Sequence, residues 1–140
     1  MSSRFALDAR LLADTHAIGE LPLSDLLLMD DARFPWLILV PRIAGARELI
    51  DLDERDQQSL IGEMNLVGRM LETLLRPDKL NVAALGNIVP QLHVHVIARF
   101  IGDAAWPQPV WGHGERLAYT EGSRAQRIAQ VRAALSSDLA

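Results

Sequence analysis

Hydrophobic positions along the chain predict an alternation of short strands and amphipathic helices. Apolar residues near helical spacing predict a short helix over residues 7–13, and residues 24–29 are typical of a strand. The uninterrupted apolar run at residues 36–40 is typical of a strand buried on both faces. The short turn between these two strands contains Asp and Pro, which favours an antiparallel hairpin.

The longest predicted helix follows this hairpin. Asp51 or Asp53 can cap it, it ends before Pro77, and its apolar positions recur at spacings of three and four, at Leu60, Met64, Val67, Leu71 and Leu74. Two further strands are predicted at residues 80–85 and 92–99, with a Gly86-Asn87 turn between them, and a last amphipathic helix at residues 121–135. The pattern, without repeats or linkers, predicts one α+β domain over residues 1–140.

Composition places the chain among ordinary globular proteins. It has 140 residues, of which 49% are hydrophobic and 23% charged, and a formal net charge of −4. The acidic balance disfavours a general nucleic-acid or anionic-membrane surface. The N-terminus lacks the apolar segment of a secretory signal, and the longest apolar run, residues 35–41, is too short to span a bilayer. We therefore expect a cytoplasmic protein.

The absence of cysteine restricts the possible chemistry. The chain has no cysteine and four histidines, so any nucleophile or metal ligand must be an oxygen or nitrogen group. Two of the four histidines, His93 and His95, stand in the predicted strand after Gln91. Because strand side chains alternate, these three side chains are expected on one face, with Leu92, Val94 and Val96 in the core.

Three interpretations of this row of polar side chains remain open. A half-solvated strand would carry them outward without a function. A metal site would use both imidazoles but needs a third ligand, and the nearby Arg99 would repel a cation. A phosphate site would use neutral His93 to attack phosphorus and His95 to bind phosphate oxygens. The preceding Gly86-Asn87 turn would supply close backbone approach, N–H groups and a side-chain amide for that site.

The segment Gln91-Leu92-His93-Val94-His95-Val96-Ile97 resembles the signature of the histidine triad (HIT) family, with glutamine in the first histidine's position. The apolar strand that ends in Pro41-Arg42 is similar to a second family feature. Asn81, the Gly86-Asn87 turn and Asp30 also stand at family-like positions. The resemblance covers about half of the chain, roughly residues 26–99.

This resemblance implies a fold, a function and a set of roles. The fold would be α+β, with a mainly antiparallel five-stranded sheet, one long helix and a C-terminal helix, and the protein would pair into a homodimer. It would bind a nucleotide and act as a hydrolase or transferase at the α-phosphate of a nucleoside polyphosphate or related conjugate. No cofactor or resident metal is implied, although a divalent cation can accompany a polyphosphate. The implied site consists of catalytic His93, His95 and Gln91, the phosphate-binding Asn81, Gly86 and Asn87, and Asp30 on the ribose.

Two departures from the family pattern favour an alternative function. Glutamine at position 91 can donate a hydrogen bond but cannot titrate, and Trp36 stands where many relatives have a further histidine. The alternative is a nucleotide-binding or sensing module with little turnover. Outside the signature, Arg99 is expected to be solvated at a strand end, and Trp111 is expected to pack the tail.

Overall fold

The computed structural model describes residues 4–140 as a five-stranded sheet with helices. In chain order the elements are α1 (Ala9–Asp14), β1 (Thr15–Glu20), β2 (Ser24–Met29), β3 (Trp36–Pro41), a 3-10 turn (Leu49–Asp51), α2 (Glu54–Leu75), β4 (Lys79–Ala84), β5 (Val94–Arg99) and α3 (Glu121–Ala134). Among these residues, no helix is both long and apolar enough to cross a membrane.

The sheet has the order β1-β2-β3-β5-β4, and every neighbouring pair is antiparallel. The predicted α+β fold and the β2–β3 hairpin are therefore confirmed. The hydrophobic pattern predicts no definite strand at Thr15–Glu20, which forms β1 by pairing with β2. Its polar and glycine residues carry little strand signal of their own, and the neighbouring strand supplies the hydrogen bonds that define it.

Helix α2 covers one face of the sheet. Of the two candidate caps, Asp53 is the one used, because its side chain accepts from the Asp56 N–H. The helix ends at Arg76, whose left-handed backbone conformation (φ 51°) precedes Pro77. Its apolar side chains share a core with β5 and with the residue two positions before that strand, as predicted, at Leu60, Val67, Leu71, Leu92, Val94 and Val96.

The opposite face of the sheet is also covered. A second cluster contains Trp36, Ile38 and Ile97 from the strands, with Leu11 from α1 and Val110 from the segment after β5. All six residues of β5 are consequently buried. The interpretation of this strand as half-solvated is therefore wrong, because chain segments distant in sequence pack over its second face.

Arg99 is buried rather than solvated, which corrects the expectation from the sequence. Only 2% of it is exposed, and its guanidinium forms a two-pronged ion pair with Asp103 at 2.8 and 3.0 Å. It also donates to the Asn81 Oδ1 and lies over the rings of Phe34 and Trp106. A buried cation needs such partners, and the loop after β5 brings Asp103 to it.

Candidate active site

His93 and His95 lie side by side at the start of β5, beneath a pocket. His93 directly precedes the strand and His95 is its second residue. They are 5% and 4% exposed, and their ring centroids are 4.9 Å apart in an edge-to-face arrangement. Both line a pocket of about 290 Å³. The sequence prediction that these two side chains share one face is confirmed by this geometry.

The hydrogen bond of His93 determines where its proton sits. Its Nδ1 is 2.7 Å from the backbone carbonyl oxygen of Gln91. Since a carbonyl oxygen only accepts, Nδ1 must carry the proton and donate. The neutral ring therefore has its lone pair on Nε2, which is the form of imidazole that can act as a nucleophile.

His95 has the opposite arrangement. The indole Nε1 of Trp36 donates to the Nδ1 of His95 at 2.8 Å, and an indole N–H cannot accept. The Nδ1 of His95 is therefore the acceptor, and the neutral ring carries its proton on Nε2. The two adjacent imidazoles thus present different groups: a nitrogen lone pair on His93 and an N–H donor on His95.

Burial keeps His95 uncharged. Removal from water, and to a smaller extent charge repulsion from the nearby His93, lower the pKa of His95 to about 3. At neutral pH, His95 is consequently a neutral hydrogen-bond donor rather than a cation.

The rest of the pocket is largely apolar, with few polar groups. The loop after β4 contributes Asn87, which lines the same pocket as the two histidines. The carboxylate of Asp14, at the end of α1, also lines the pocket. Apolar walls come from Leu11, Met29, Leu85, Ile88 and Val89, and Trp111 closes one side. A pocket with a mostly apolar lining and a few convergent polar groups is typical of a small-molecule site.

Gln91 fastens the N-terminal segment to the loop that precedes the histidines. Its Oε1 accepts from the Asp8 N–H and its Nε2 donates to the Ala6 carbonyl, both at 2.8 Å. Arg10 adds a bond to the Ile88 carbonyl at 2.6 Å. The side-chain amide of Gln91 thus forms the pair of backbone hydrogen bonds that a neighbouring strand would form. The backbone carbonyl of Gln91 orients His93.

Three predicted ligand residues, Asp30, Asn81 and Gly86, lie outside the pocket lining. Asp30 accepts from the Tyr119 N–H at 3.0 Å and lies 3.3 Å from the His16 Nε2. Asn81 is engaged by Arg99, as described above. Gly86 belongs to the turn that carries Asn87, and a Cβ there would meet only ordinary contacts, the nearest at 3.8 Å.

The structure adds two pocket residues that sequence reasoning did not identify. Trp111 was expected to pack the tail, but it lies edge-on to Trp36 and His95, with ring centroids 5.8 and 5.0 Å away. Asp14 had no motif to mark it, because only the fold brings the end of α1 to β5. Both residues, with Met29, also line an adjacent cavity of about 250 Å³.

That adjacent cavity is more polar than the histidine pocket. Arg33, His113 and Arg116 contribute to its lining. Arg33 is paired with buried Asp31 at 2.8 Å, and Arg116 lies 3.4 Å from the exposed Asp14 carboxylate. Within residues 4–140, no three His, Asp or Glu side chains converge in a way that would hold a metal ion.

Comparisons with known proteins agree with this fold and site. The family model described as the HIT domain matches residues 10–102. The structure of a histidine triad protein from Bradyrhizobium japonicum is 49% identical, covers 99% of this chain and 100% of its own, and superposes with a TM-score of 0.91. A histidine triad protein from Marinobacter aquaeolei is 47% identical, with coverage of 97% and 99% and a TM-score of 0.94.

A more distant match shows the fold alone. A hypothetical histidine triad nucleotide-binding protein from Sulfolobus tokodaii is 14% identical, covers 91% of this chain and 89% of its own, and has a TM-score of 0.68. No curated protein matched significantly. The family match and the two close structures establish that this chain belongs to the HIT family, whose membership implies nucleotide-binding hydrolase or transferase activity.

Proposed function

We propose that this protein is a nucleotide hydrolase or transferase that acts at the α-phosphate of a nucleoside polyphosphate or related conjugate. The observation that carries the proposal is the Nδ1–H bond of His93 to the Gln91 carbonyl, which leaves the Nε2 lone pair available beneath a pocket. Nucleophilic attack on phosphorus requires such a lone pair on a group held in one orientation.

The reaction would take place in two steps. In the first, Nε2 of His93 forms a bond to the α-phosphorus while the bond to the leaving group breaks, and the leaving group takes that electron pair. In the second, water or another acceptor attacks phosphorus, the N–P bond breaks, and its electron pair returns to Nε2. The acceptor's proton goes to solvent.

The other groups would bind the phosphoryl and nucleoside parts. The Nε2–H of His95 and the amide of Asn87 would donate to phosphate oxygens, and the apolar walls would contact the nucleoside. Gln91 would act through its backbone carbonyl on His93. The reaction needs no cofactor, and a divalent cation would enter only with a polyphosphate substrate.

A low-turnover binding or sensing module is the second candidate. It is favoured by the engagement of the Gln91 amide with Ala6 and Asp8, because a side chain committed to backbone is poorly placed to assist a departing group. Both candidates place the nucleotide in the same pocket and differ only in whether the covalent step occurs.

Turnover assays distinguish the two candidates. Purified protein would be incubated with dinucleoside polyphosphates and nucleoside phosphoramidates, and a His93→Ala variant would serve as the comparison. The proposal expects turnover by the parent protein and a loss of at least about a thousand-fold in the variant, as for loss of a covalent nucleophile. Turnover unaffected by the substitution would refute it. Nucleotide binding without product would instead establish the binding module.

We also propose a homodimer. Strand β4 forms one edge of the sheet, and the apolar side chains of Val82 within it and Leu85 directly after it are 46% and 41% exposed. Such an edge is suited to pairing with a second copy. Light scattering coupled to gel filtration should return twice the chain mass of 15.5 kDa, and the monomer mass would contradict the proposal.

A further inference from the structure

Trp36 makes a contact to the histidine pair that no other side chain within residues 4–140 duplicates. It stands at the first position of β3, and its indole N–H donates to His95 Nδ1 across the sheet. Trp111 also packs against His95, slightly closer by ring centroids (5.0 against 5.6 Å). Trp111, however, makes no hydrogen bond through its buried Nε1 within residues 4–140. Both tryptophans therefore lie close to His95, but Trp36 donates a hydrogen bond to it and Trp111 does not.

We propose that Trp36 is a positioning residue that holds His95 as a neutral Nε2–H donor toward the phosphoryl group. An indole N–H aimed at Nδ1 is compatible with only one neutral tautomer of the imidazole, since protonating Nδ1 would set two donors against each other. The same conflict disfavours the imidazolium form. This inference rests on the proposed function for its catalytic part, but the tautomer itself is a property of the free protein.

The charged surroundings of His95 fit this role. On the same face of β5, Arg99 is neutralised by Asp103, and the one ionisable residue of α1 that lines the pocket is Asp14. Arg116 and Arg10 lie at the edges of the site and are themselves paired, with Asp14 and Asp8. His93 is the remaining titratable neighbour, at 4.9 Å between centroids. Trp36 therefore keeps the His95 ring in one orientation with its N–H directed toward the pocket. Without Trp36, the ring could flip or become protonated.

The consequence concerns how the site would respond to pH. A donor kept neutral by burial and held in one tautomer by a hydrogen bond gives the same contact to phosphate throughout the pH range in which an ordinary imidazole, with a pKa of about 6.5, would gain or lose its charge. The chemistry would then follow the lone pair of His93 alone. Without Trp36, His95 is free to adopt the Nδ1–H tautomer, which presents an acceptor to a phosphate oxygen and repels it.

Nitrogen NMR of the imidazole side chains in the full chain tests the tautomer directly. In the parent protein at neutral pH, His95 should show an unprotonated Nδ1 and a protonated Nε2. Trp36→Phe, which keeps an aromatic ring but removes the donor, should show both tautomers in exchange. Trp111→Phe is the matched control and should leave the His95 signals in the parental tautomer. A protonated Nδ1 in the parent, or an unchanged tautomer in Trp36→Phe, would overturn the proposal.

Kinetics test the catalytic part separately. Trp36→Phe should lower kcat/KM about ten-fold, the effect of one lost buried hydrogen bond on the population of the competent form. Its pH profile should differ from the parent's on the acid side, because His95 loses the donor that opposes protonation of its Nδ1. An unchanged profile together with the altered tautomer would overturn the catalytic role. Absence of turnover in the parent, with the predicted NMR result, would instead refute the proposed function and leave the tautomer assignment intact.

Discussion

Gln91→Ala is expected to release the N-terminal segment from the active-site loop without unfolding the protein. The side chain makes two hydrogen bonds of 2.8 Å to the backbone of Ala6 and Asp8. Each such bond contributes about 0.5–1.5 kcal/mol, so the segment should lose about 1–3 kcal/mol of local stability. Arg10 holds the same segment through Ile88, so some attachment should persist in the variant.

Hydrogen exchange of the Asp8 amide measures this loss at the site itself. A change of 1–3 kcal/mol corresponds to roughly a 5- to 150-fold faster exchange, if the amide exchanges by local opening. Amides in β5 should be unaffected because the strand is buried on both faces. Since Leu11 of the adjoining α1 lines the pocket, KM for a nucleotide substrate should rise as well.

Gln57→Ala provides the matched control. Gln57 also donates from Nε2 to backbone carbonyls, those of Leu49 and Leu52, but at the start of α2 and away from the pocket. It should leave Asp8 exchange and KM unchanged. If Asp8 exchange in Gln91→Ala matched that of the parent, the glutamine would not be what fastens this segment, and the argument from its paired amide would fail.

Two further predictions concern buried charge and pH. Asp103→Asn should lower the free energy of unfolding by about 3–5 kcal/mol in urea titrations at pH 7, because it leaves the Arg99 guanidinium buried without its counter-ion. The control Asp53→Ala removes only an exposed helix cap and should lower it by about 1 kcal/mol. Equal losses in the two variants would contradict the reasoning. The pKa of His95 is about 3 in the folded protein, below the 6.5 of the unfolded chain, so the unfolded state binds more protons between these values. Stability present above about pH 6.5 should therefore fall as the solution is acidified, by up to about 1.4 kcal/mol per pH unit. Unfolding titrations of His95→Gln over the range from pH 6.5 to about 4 should show a shallower dependence, and a slope equal to the parent's would count against a neutral buried His95.

Most of the local structure could be predicted from the sequence. The period of the apolar residues located α2, α3 and four of the five strands, because amphipathic spacing reflects which face each element buries. Strand β1 is the exception, since residues such as His16 and Gly19 have little intrinsic strand preference and depend on pairing with β2. The alternation of residues 91–97 likewise predicted that His93 and His95 share a face.

The identities of the groups around the histidines could not be predicted in this way. Asp14 and Trp111 reach the pocket from segments about 80 residues before and 16 residues after His95, and no local pattern marks such a contact. Asn81 and Asp30 stand at family-like positions, yet Arg99 and Tyr119 engage them. Whether a polar atom already has a hydrogen-bond partner depends on all of its neighbours, and hence on tertiary packing.

The sequence by itself thus determined the order of the elements other than β1, the burial of β5 on its α2 face and the pair of imidazoles that carries the candidate chemistry. Only the tertiary structure decided the protonation of that pair, because a carbonyl at His93 and an indole N–H at His95 impose opposite tautomers. It also decided that Gln91 holds backbone through its side chain. Spacing along a strand sets the face on which a side chain lies, whereas its hydrogen-bond partners come from other strands and loops.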